Sequence, residues 1–512
     1  MKASQAPDAM GLAECIVAGE LSAQEALAHT LECVAQRNPA VNAACGLSAD
    51  VGMAQAERLD AALAVISAGE RGRMLLEQPF FGVPFLMKDL GIAVKGVPSS
   101  SGTRLFGDTQ WEFDAELPRR YKRAGLVLFG RTTTAELGTS PTTEAPWYGE
   151  PTRNPWGLGH SAGGSSGGAA AAVASGMVRL AHGGDGGGSI RIPASCCGVV
   201  GLKPSRGMVP MGPHKGEGWG GLTIDHVLSL SVRDSAAALD VSAGADLGAP
   251  YAAPARIASY RSAVQDIARD PWAAPRWRIA VLPSGDDHWP QHPDVQRTLQ
   301  DAIGFFAGLG HCVESAAPQP SARSVLEAML PLIATNAALA VDKAIAARGY
   351  PLHDDELQPT NHSMLAYART ITGVGYARCV DNMHAMTRQV AAFFAPYGKS
   401  GFDFFLTPVL AEPPAEIGRY AMDWPDYLDY RLGPEGLLRY SPYAPLANLS
   451  GCPAISIPFG RSVQGLPIGI QLMALHGQEH KLLQVAAQVE SLRPWQLTAP
   501  WRVAPMFAPA SE

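Results

Sequence analysis

Charge is what this 512-residue sequence has least of, because Asp, Glu, Lys and Arg together make up only 17% of it. Neither sign dominates, since 40 Lys and Arg against 47 Asp and Glu leave a formal net charge of −7. Without a basic excess, neither a nucleic acid nor an anionic membrane is expected as a partner. No stretch reaches about 18 apolar residues without a glycine or a charge, so no membrane span is expected.

Motifs for metals and cofactors are also missing. The eight cysteines are scattered without a CxxC pair, and the thirteen histidines include no HExxH pattern. These absences argue against a structural zinc site, a disulfide framework and a zinc-protease centre. The phosphate-binding pattern GxxxxGK[ST] does not occur, and residues 1–21 contain acidic side chains but no continuous apolar run. We therefore expect no metal, no cofactor and no signal peptide, and a reducing cytoplasm as the location.

Apolar residues are plentiful, at 47% of the chain, which suffices for a large core. Residues 1–75 have helical spacing, with a capping box at Ser22-Ala-Gln-Glu25 and a helix end expected at Asn38-Pro39. From residue 76 to residue 512, short apolar strands alternate with glycine-rich loops and helices. This alternation predicts an α/β layered core. Residues 240–275, rich in Pro and Ala, are expected to be a connector.

Local patterns predict several individual elements. The predicted strands are 81–87, 177–181, 277–282, 312–313, 404–406, 454–457 and 468–472, and the predicted helices include 168–175, 293–309 and 481–489. Strand 81–87 ends at Lys88, and a glycine loop over 182–189 follows strand 177–181. Strand 277–282, helix 293–309 and strand 312–313 form a βαβ-like unit.

Three short segments combine residue types that suit catalysis. Lys88 follows Phe85-Leu-Met87, so burial would disfavour its ammonium and make it a usable base, unless it reaches solvent or pairs with Asp89. Gly163-Gly-Ser-Ser-Gly-Gly168 precedes a predicted helix of small residues. In such a loop, backbone N–H groups and hydroxyls can converge near the helix N-terminus; alternatively, the segment is a tight turn with a serine cap. In Gly183-Gly-Asp-Gly-Gly-Gly-Ser189, consecutive glycines expose several N–H groups around one hydroxyl, as an oxyanion hole requires.

Two further patterns would indicate other functions. Gly163–Gly167 and Gly164–Gly168 both fit GxSxG, the nucleophile elbow of α/β-hydrolases, which follows a strand. We expect residues 157–162 to form a loop instead, which disfavours the elbow. Gly216-Glu-Gly-Trp-Gly-Gly221 has the dinucleotide-binding spacing GxGxxG, but residues 211–215 before it lack the pattern of a strand, so this interpretation is also disfavoured.

Over nearly its whole length, the sequence resembles the amidase signature family. The segments that carry the resemblance are Lys88-Asp89, Gly130-Arg-Thr-Thr-Thr134, Arg153-Asn-Pro-Trp156, 163–177, 188–205, 451–456 and 465–471. The resemblance implies an α/β amidase signature fold, in which a central mixed sheet over residues 76–512 is covered by helices on both faces. Residues 1–75 would then be a helical region packed on that core. Thr142-Thr-Glu144 and residues 198–207 look most like the branch that opens nylon-oligomer cyclic amides.

The resemblance also implies a Ser–Ser–Lys triad. Ser189 would be the nucleophile, Lys88 the base, and Ser165, on a cis peptide bond after Gly164, the bridge between them. Backbone N–H groups of Gly186, Gly187, Gly188 and Ser189 would bind the oxyanion, and Ser166, Asp185 and Arg191 would support the loops. The usual family loop Gly-Thr-Asp-Thr-Gly-Gly-Ser is here Gly183-Gly-Asp-Gly-Gly-Gly-Ser189, which keeps the triad and predicts a wider pocket or a looser loop.

The implied reaction is hydrolysis of a C–N amide bond in a small-molecule amide, anilide, carbamate or cyclic amide, without metal or cofactor. An aryl esterase or urethanase, a glutamine-dependent transamidase subunit and a non-catalytic binding protein are the alternatives. A homodimer is a further expectation. The segments 136–148, 211–226 and 320–445 depart most from the family pattern and are expected to form the pocket, the last of them mostly as helix. Candidate pocket contacts, by position alone, are Met87, Thr139, Trp219, Ile224 and Tyr443.

Overall fold

Strands from the whole length of the chain form one large sheet in the computed structural model, which describes residues 8–107, 109–255, 257–283, 291–395 and 401–500. The strands are β1 (Ala44–Cys45), β2 (Pro84–Lys88), β3 (Val127–Thr132), β4 (Arg153–Asn154), β5 (Gly157–Ser161), β6 (Leu180–Asp185), β7 (Val200–Lys203), β8 (Ile224–Ser229), β9 (Arg278–Val281), β10 (Cys312–Ser315), β11 (Phe404–Pro408), β12 (Ala454–Arg461) and β13 (Pro467–Met473). Eleven of them form the sheet, in the order β1-β3-β2-β6-β8-β7-β12-β13-β11-β9-β10, while β4 and β5 pair with each other.

The large sheet is mixed. The pairs β2–β3, β2–β6, β9–β10 and β9–β11 are parallel. The pairs β1–β3, β6–β8, β7–β8, β7–β12, β12–β13 and β11–β13 are antiparallel. Because β2 and β6 run parallel, their carboxyl ends meet at one edge of the sheet, which brings Lys88 and Asp185 to the same place.

Seventeen α-helices flank the sheet in the described part of the chain. They are α1 (Ala9–Ala18), α2 (Ala23–Val41), α3 (Ala49–Ala64), α4 (Ala68–Glu77), α5 (Glu116–Arg123), α6 (Gly167–Ala174), α7 (Arg191–Cys197), α8 (Val232–Ser242), α9 (Tyr260–Arg269), α10 (Pro293–Gly308), α11 (Ala322–Arg348), α12 (Pro359–Arg369), α13 (Gly373–Phe394), α14 (Tyr427–Leu432), α15 (Leu437–Tyr440), α16 (Pro445–Ser450) and α17 (Glu479–Leu492). The mixed sheet flanked by helices confirms the predicted fold class.

The short helices α6 and α7 hold the centre of the core beside β6. All eight residues of α6 are buried, and so are all seven of α7. Alanines and glycines make up α6 apart from Val173, so its backbone can lie close to its neighbours. This close packing fixes the two loops that precede these helices, which are residues 163–166 before α6 and residues 186–190 before α7.

Several expected elements are confirmed. The capping box at Ser22 and Glu25 is present, with Ser22 Oγ accepting the Glu25 N–H and the Glu25 carboxylate accepting the Ser22 N–H. The βαβ unit forms as β9, α10 and β10, with β9 and β10 parallel. Helix α17 closes the fold as predicted.

Other expectations are corrected by the structure. Asn38-Pro39 does not end the second helix, because Pro39 lies in the last turn of α2, which continues to Val41. Residues 182–185 are not a loop but the second half of β6. Residues 157–161 form β5 rather than a loop, although β5 belongs to the small two-stranded sheet.

Packing is continuous across the domain boundaries that the sequence predicts. Residues 1–75 supply helices α1 to α3 and also β1, which pairs antiparallel with β3 in the large sheet. The segment 240–275 contains α9, whose Tyr260, Val264 and Ile267 are buried. Residues 396–400 of the variable segment and 501–512 of the core lie outside the described residues.

Helix α11 is the one helix among the described residues that is long and apolar enough to cross a membrane by length and composition. However, 61% of its most apolar window is buried inside the fold. Val325, Met329 and Ile333 pack there with residues of α12, α13 and α16. This is the packing of a core helix.

Candidate active site

Lys88 is the last residue of β2, and only 1% of its surface is exposed. Its Nζ lies 2.7 Å from Ser165 Oγ, within hydrogen-bonding distance, and donates to the Gly184 carbonyl oxygen at 3.2 Å. Burial lowers the pKa of Lys88 to about 7, although the carboxylates of Asp225 and Asp185 act in the opposite direction. A substantial fraction of Lys88 is therefore neutral near pH 7 and able to accept the Ser165 proton.

Ser165 lies in the loop before α6, on a cis peptide bond with Gly164, as the family resemblance implies. Its carbonyl oxygen accepts hydrogen bonds from Thr134 Oγ1 at 2.9 Å and from the Ala135 N–H at 3.2 Å. Its side chain is 1% exposed. These contacts hold the hydroxyl of Ser165 on Lys88 and shield it from bulk water.

Ser189 lies between β6 and α7, and at 9% exposure it is the most accessible member of the predicted triad. Its carbonyl oxygen accepts the Ser166 N–H at 3.1 Å, which ties its loop to the loop of Ser165. Ser166 Oγ donates to the Gly184 carbonyl oxygen at 3.1 Å and accepts the Gly184 N–H at 3.3 Å. The structure thus brings both serine loops together at the end of β6.

The predicted oxyanion donors fall into two groups. The N–H groups of Gly186, Gly187 and Ser189 have no acceptor among the described residues, whereas the Gly188 N–H donates to Asp185 Oδ1 at 2.7 Å. Three of the four predicted donors are thus without an acceptor in the described part of the chain, and Gly188 instead anchors the loop. Gly188 has φ +127°, and a Cβ there would lie 2.8 Å from Ala444 Cβ, so only glycine fits.

Asp185 and Arg191 form a buried ion pair beneath this loop. Arg191 Nε lies 3.0 Å from Asp185 Oδ2, and Arg191 Nη2 lies 3.0 Å from Asp185 Oδ1. Burial alone would raise the pKa of Asp185, but Arg191, Lys203 and Asn448 together hold it well below its usual range. Because the Asp185 carboxylate also accepts the Ile190 N–H at 3.1 Å, it fixes the backbone on both sides of Ser189.

Two further residues complete this support. Arg191 Nη1 donates to Gln471 Oε1, and Arg191 Nη2 donates to Asn448 Oδ1, each at 2.6 Å. Asn448 Nδ2 in turn donates to the Asp185 carbonyl oxygen at 2.9 Å. Sequence analysis placed Gln471 in a family-like segment without a role and missed Asn448, because a single Asn more than 250 residues from its partners gives no local signal.

The candidate pocket contacts do not share one location. Trp219 lies against the oxyanion loop, since a Cβ on Gly186 would come within 2.6 Å of its ring. Met87 and Ile224 belong to the buried apolar core instead. Thr139 Oγ1 donates to Asn361 Oδ1 at 2.9 Å, and Tyr443 Oη accepts from Gln291 Nε2 at 3.0 Å. Of the five, the structure therefore places Trp219 directly against the loop of Ser189.

Comparison with known proteins agrees with this fold. Residues 25–483 match the Amidase family model. The chain is 35% identical over 503 residues to 6-aminohexanoate-cyclic-dimer hydrolase of Pseudomonas sp. (strain NK87), covering 96% of each chain. It is 32% identical over 490 residues to an acylamidase of Rhodococcus erythropolis, covering 94% of this chain and 95% of that one.

A solved structure of 6-aminohexanoate cyclic dimer hydrolase matches with a TM-score of 0.83 at 33% identity, covering 95% of this chain and 97% of that one. The chain therefore belongs to the amidase signature family. It is an amidohydrolase that acts on C–N bonds other than peptide bonds.

Proposed function

We propose that this amidase works through a Ser189 acyl-enzyme, with Lys88 and Ser165 as its proton relay. The observation that supports this most directly is the buried Lys88 Nζ, 2.7 Å from Ser165 Oγ, beneath the loop that carries Ser189. A buried amine of lowered pKa is the kind of group that can serve as a general base near neutral pH. The Ser166 N–H donates to the Ser189 carbonyl oxygen, and this hydrogen bond holds the two serine loops together.

The reaction would proceed in two halves. In the first half, Ser189 Oγ attacks the substrate carbonyl while its proton passes to Ser165 Oγ and the Ser165 proton passes to Lys88 Nζ. The N–H groups of Gly186, Gly187 and Ser189 would stabilise the tetrahedral oxyanion, and the relay would return the proton to the leaving amine. In the second half, water follows the same path and releases the carboxylic acid.

For the substrate, we propose a small-molecule amide of the cyclic or acyl-amide type, as the names of the two relatives suggest. The site includes the aromatic ring of Trp219 beside the oxyanion loop, which suits a substrate with an apolar surface. Aryl esterase or urethanase activity is the second candidate, because the same acyl-enzyme forms from an ester or a carbamate. We also propose that the enzyme is cytoplasmic and forms a homodimer.

Substitution of Ser189 by alanine tests the proposed nucleophile. Ser189→Ala should lower kcat by roughly four to six orders of magnitude, the scale at which a missing serine nucleophile acts. Ser175→Ala is the matched control, because the Ser175 hydroxyl donates only to the Ala172 carbonyl of its own helix, and it should retain wild-type kcat. A folded Ser189→Ala protein with near-wild-type turnover would refute the assignment.

A substrate panel tests the proposed reaction class. Purified protein would be assayed with p-nitroanilides, aryl esters, carbamates and cyclic amides. Amide turnover that is lost with Ser189→Ala supports the proposal, whereas ester turnover with no amide turnover favours the esterase. A chain that is inactive on every small substrate until a second protein is added would instead favour the glutamine-dependent transamidase subunit.

A further inference from the structure

Two polar residues lie near Lys88 in the large sheet, one on the neighbouring strand β6 and one on β8, the strand beyond β6. His182 on β6 accepts the Lys88 backbone N–H through Nδ1 at 3.3 Å, and its Nε2 lies 3.5 Å from Asp225 Oδ1 on β8. An imidazole nitrogen that accepts a hydrogen bond carries no proton, so the neutral His182 ring has its proton on Nε2. Nε2 is thus the ring nitrogen that lies near the Asp225 carboxylate, although this contact is too long to be a hydrogen bond.

The sheet register places Asp225 beside Gly184, whose carbonyl oxygen is a hydrogen-bond acceptor of the Lys88 amine. Asp225 is paired with Gly184 across β6 and β8, and the Gly184 carbonyl is the one that accepts from Lys88 Nζ. A Cβ on Gly184 would lie 2.6 Å from Asp225 Oδ1, so the carboxylate lies directly over the backbone at this position. The side chain of Asp225 is largely buried, which limits the screening of its charge by water.

The other charged and titratable groups around Lys88 already have partners or are neutral. Asp185, at the end of β6, is paired with Arg191, and Arg131 on β3 donates to the Lys88 carbonyl oxygen at 3.2 Å. Burial lowers the pKa of His226 on β8 to about 3, so it is uncharged at neutral pH. The groups packed nearby are Tyr121 on α5, edge-on to the His182 ring, and His214 and Lys215, which both contact the Gly91 carbonyl oxygen.

Asp225 differs from these groups. Within the described ranges, neither a guanidinium nor an ammonium lies within ion-pair distance of its carboxylate, and its one such neighbour is the His182 ring. Its negative charge therefore acts on the amines of both Lys88 and Lys215. A carboxylate in this position favours the protonated form of a buried lysine.

We propose that His182 and Asp225 are positioning residues for the reaction, with His182 holding the Lys88 backbone and Asp225 favouring proton uptake by the Lys88 amine. The proposal rests on the proposed function of Lys88 as the base. Burial alone would leave Lys88 a poor proton acceptor, because its ammonium form would be strongly disfavoured. A nearby carboxylate restores part of that proton affinity and keeps the base effective near neutral pH.

The pH dependence of kcat/KM tests the role of Asp225. The acidic limb of the profile reports the protonation of the base in the free enzyme. Asp225→Asn removes the charge but keeps an oxygen near His182 Nε2, so the limb should move to lower pH by about one unit, the low end of the effect of a neighbouring charge. Asp225→Glu keeps the charge and should keep the limb.

Asp266→Asn serves as the matched control, since it changes the net charge equally from an exposed site on α9 and should leave the limb unmoved. An unmoved limb in Asp225→Asn, with or without a general loss of rate, would overturn the role of Asp225. Asp225→Ser provides a smaller neutral side chain if Asp225→Asn does not fold, and the same shift is expected.

His182→Ala tests the other half of the pair. Loss of the acceptor for the Lys88 N–H should lower kcat with little change in KM, because the base moves while the substrate pocket stays intact. A wild-type kcat in folded His182→Ala would remove His182 from the proposal. If Lys88→Met keeps the wild-type profile, the proposed function itself fails, whereas an inactive Lys88→Met together with an unmoved Asp225→Asn limb refutes this inference alone.

Discussion

A lysine amine at the end of a central strand carries a free-energy cost when charged, because nothing around it replaces the lost water fully. Lys88 has one carbonyl acceptor and one serine hydroxyl as contacts, and no carboxylate of the described residues touches its Nζ. A residue whose only task was structural would be better served there by an apolar side chain. The site therefore retains an amine whose neutral form is readily available, which is what a relay through Ser165 needs.

Activity should follow the protonation of Lys88. Burial lowers its pKa to about 7 from the ordinary value of about 10.5, so kcat/KM should rise through pH 7 and stay high on the alkaline side. Lys88→Met keeps the length of the side chain without the amine and should lose several orders of magnitude in rate together with that limb. The measurement is a pH–rate profile on a chemistry-limited amide, with circular dichroism as the folding control; an unchanged profile would exclude Lys88 as the base.

A site residue could be predicted from sequence when it lies in a recognisable local motif, and could not when its role depends on residues far away in the chain. Lys88, Ser165 and Ser189 each stand in a recognisable local setting, namely a strand end or a glycine-rich loop, and the family resemblance connects them. Asn448 and Asp225 have no such setting, because their roles arise only when distant strands and helices meet. The sequence predicts a loop at His182. Because a loop, unlike a strand, does not fix the direction of its side chains, the contact of His182 with Lys88 could not be inferred.

At the scale of elements, helix α6 shows how small residues position the site. Gly168 lies in its first turn, where a Cβ would come within 2.5 Å of the Thr133 backbone nitrogen and oxygen. Backbone atoms cannot move aside as a flexible side chain can. The close approach of α6 to Thr133 therefore holds the preceding loop, and with it Ser165, at a fixed distance from the sheet.

A pair of glycine substitutions separates this packing from helix propensity. Gly→Ala inside a helix ordinarily stabilises by about 0.5–1 kcal/mol, and Gly304→Ala in α10 should do so, because a Cβ there meets nothing within 4 Å. Gly168→Ala should instead destabilise by about 1–3 kcal/mol, the scale of overpacking. Equilibrium unfolding in denaturant gives both values, and equal stabilisation by the two substitutions would contradict the packing described for α6.

Element boundaries were predictable where packing and local propensity agree. The capping box of α2 and the βαβ unit of β9, α10 and β10 were predicted, because their signals are local. The second half of β6 is not predicted, since glycine is rare in strands. Its pairing with β8, which continues to Asp185, overrides that propensity. Pro39 was expected to end α2, but it lies in the last turn, and the helix ends two residues later at Val41.

At the scale of the whole molecule, stability should depend on a carboxyl group that joins the site to the variable helices. Glu136 begins a short turn, Glu136–Gly138, that lies beside Ser165. Its Oε1 accepts the Gln358 N–H and the Asn361 Nδ2–H, both at 2.7 Å. Burial raises the pKa of Glu136 to about 7, although these hydrogen bonds act in the opposite direction. The folded protein thus holds this proton at pH values where the unfolded chain, near its ordinary value of about 4.5, has released it.

The sign of the pH effect follows from this difference in proton binding. Between about pH 4.5 and pH 7 the folded state binds more protons at Glu136 than the unfolded state, so this group makes the protein less stable as pH rises. Glu136→Gln cannot ionise, and its thermal midpoint should gain on that of the wild type across this window. Scanning calorimetry at pH 5 and pH 8 measures the change, with exposed Glu327→Gln on α11 as the control. A difference that does not grow with pH would contradict the buried, raised-pKa state of Glu136.

The proposed mechanism requires a covalent intermediate at one serine, so trapping that intermediate is the most direct test of the mechanism. The protein would be mixed with a slowly deacylating aryl ester or carbamate, quenched in acid, digested and mapped by mass spectrometry. We expect an acyl group on Ser189 in the wild type and none in Ser189→Ala. An acyl group on Ser165 or Ser166 instead, or turnover with an unmodified protein at every time point, would contradict it.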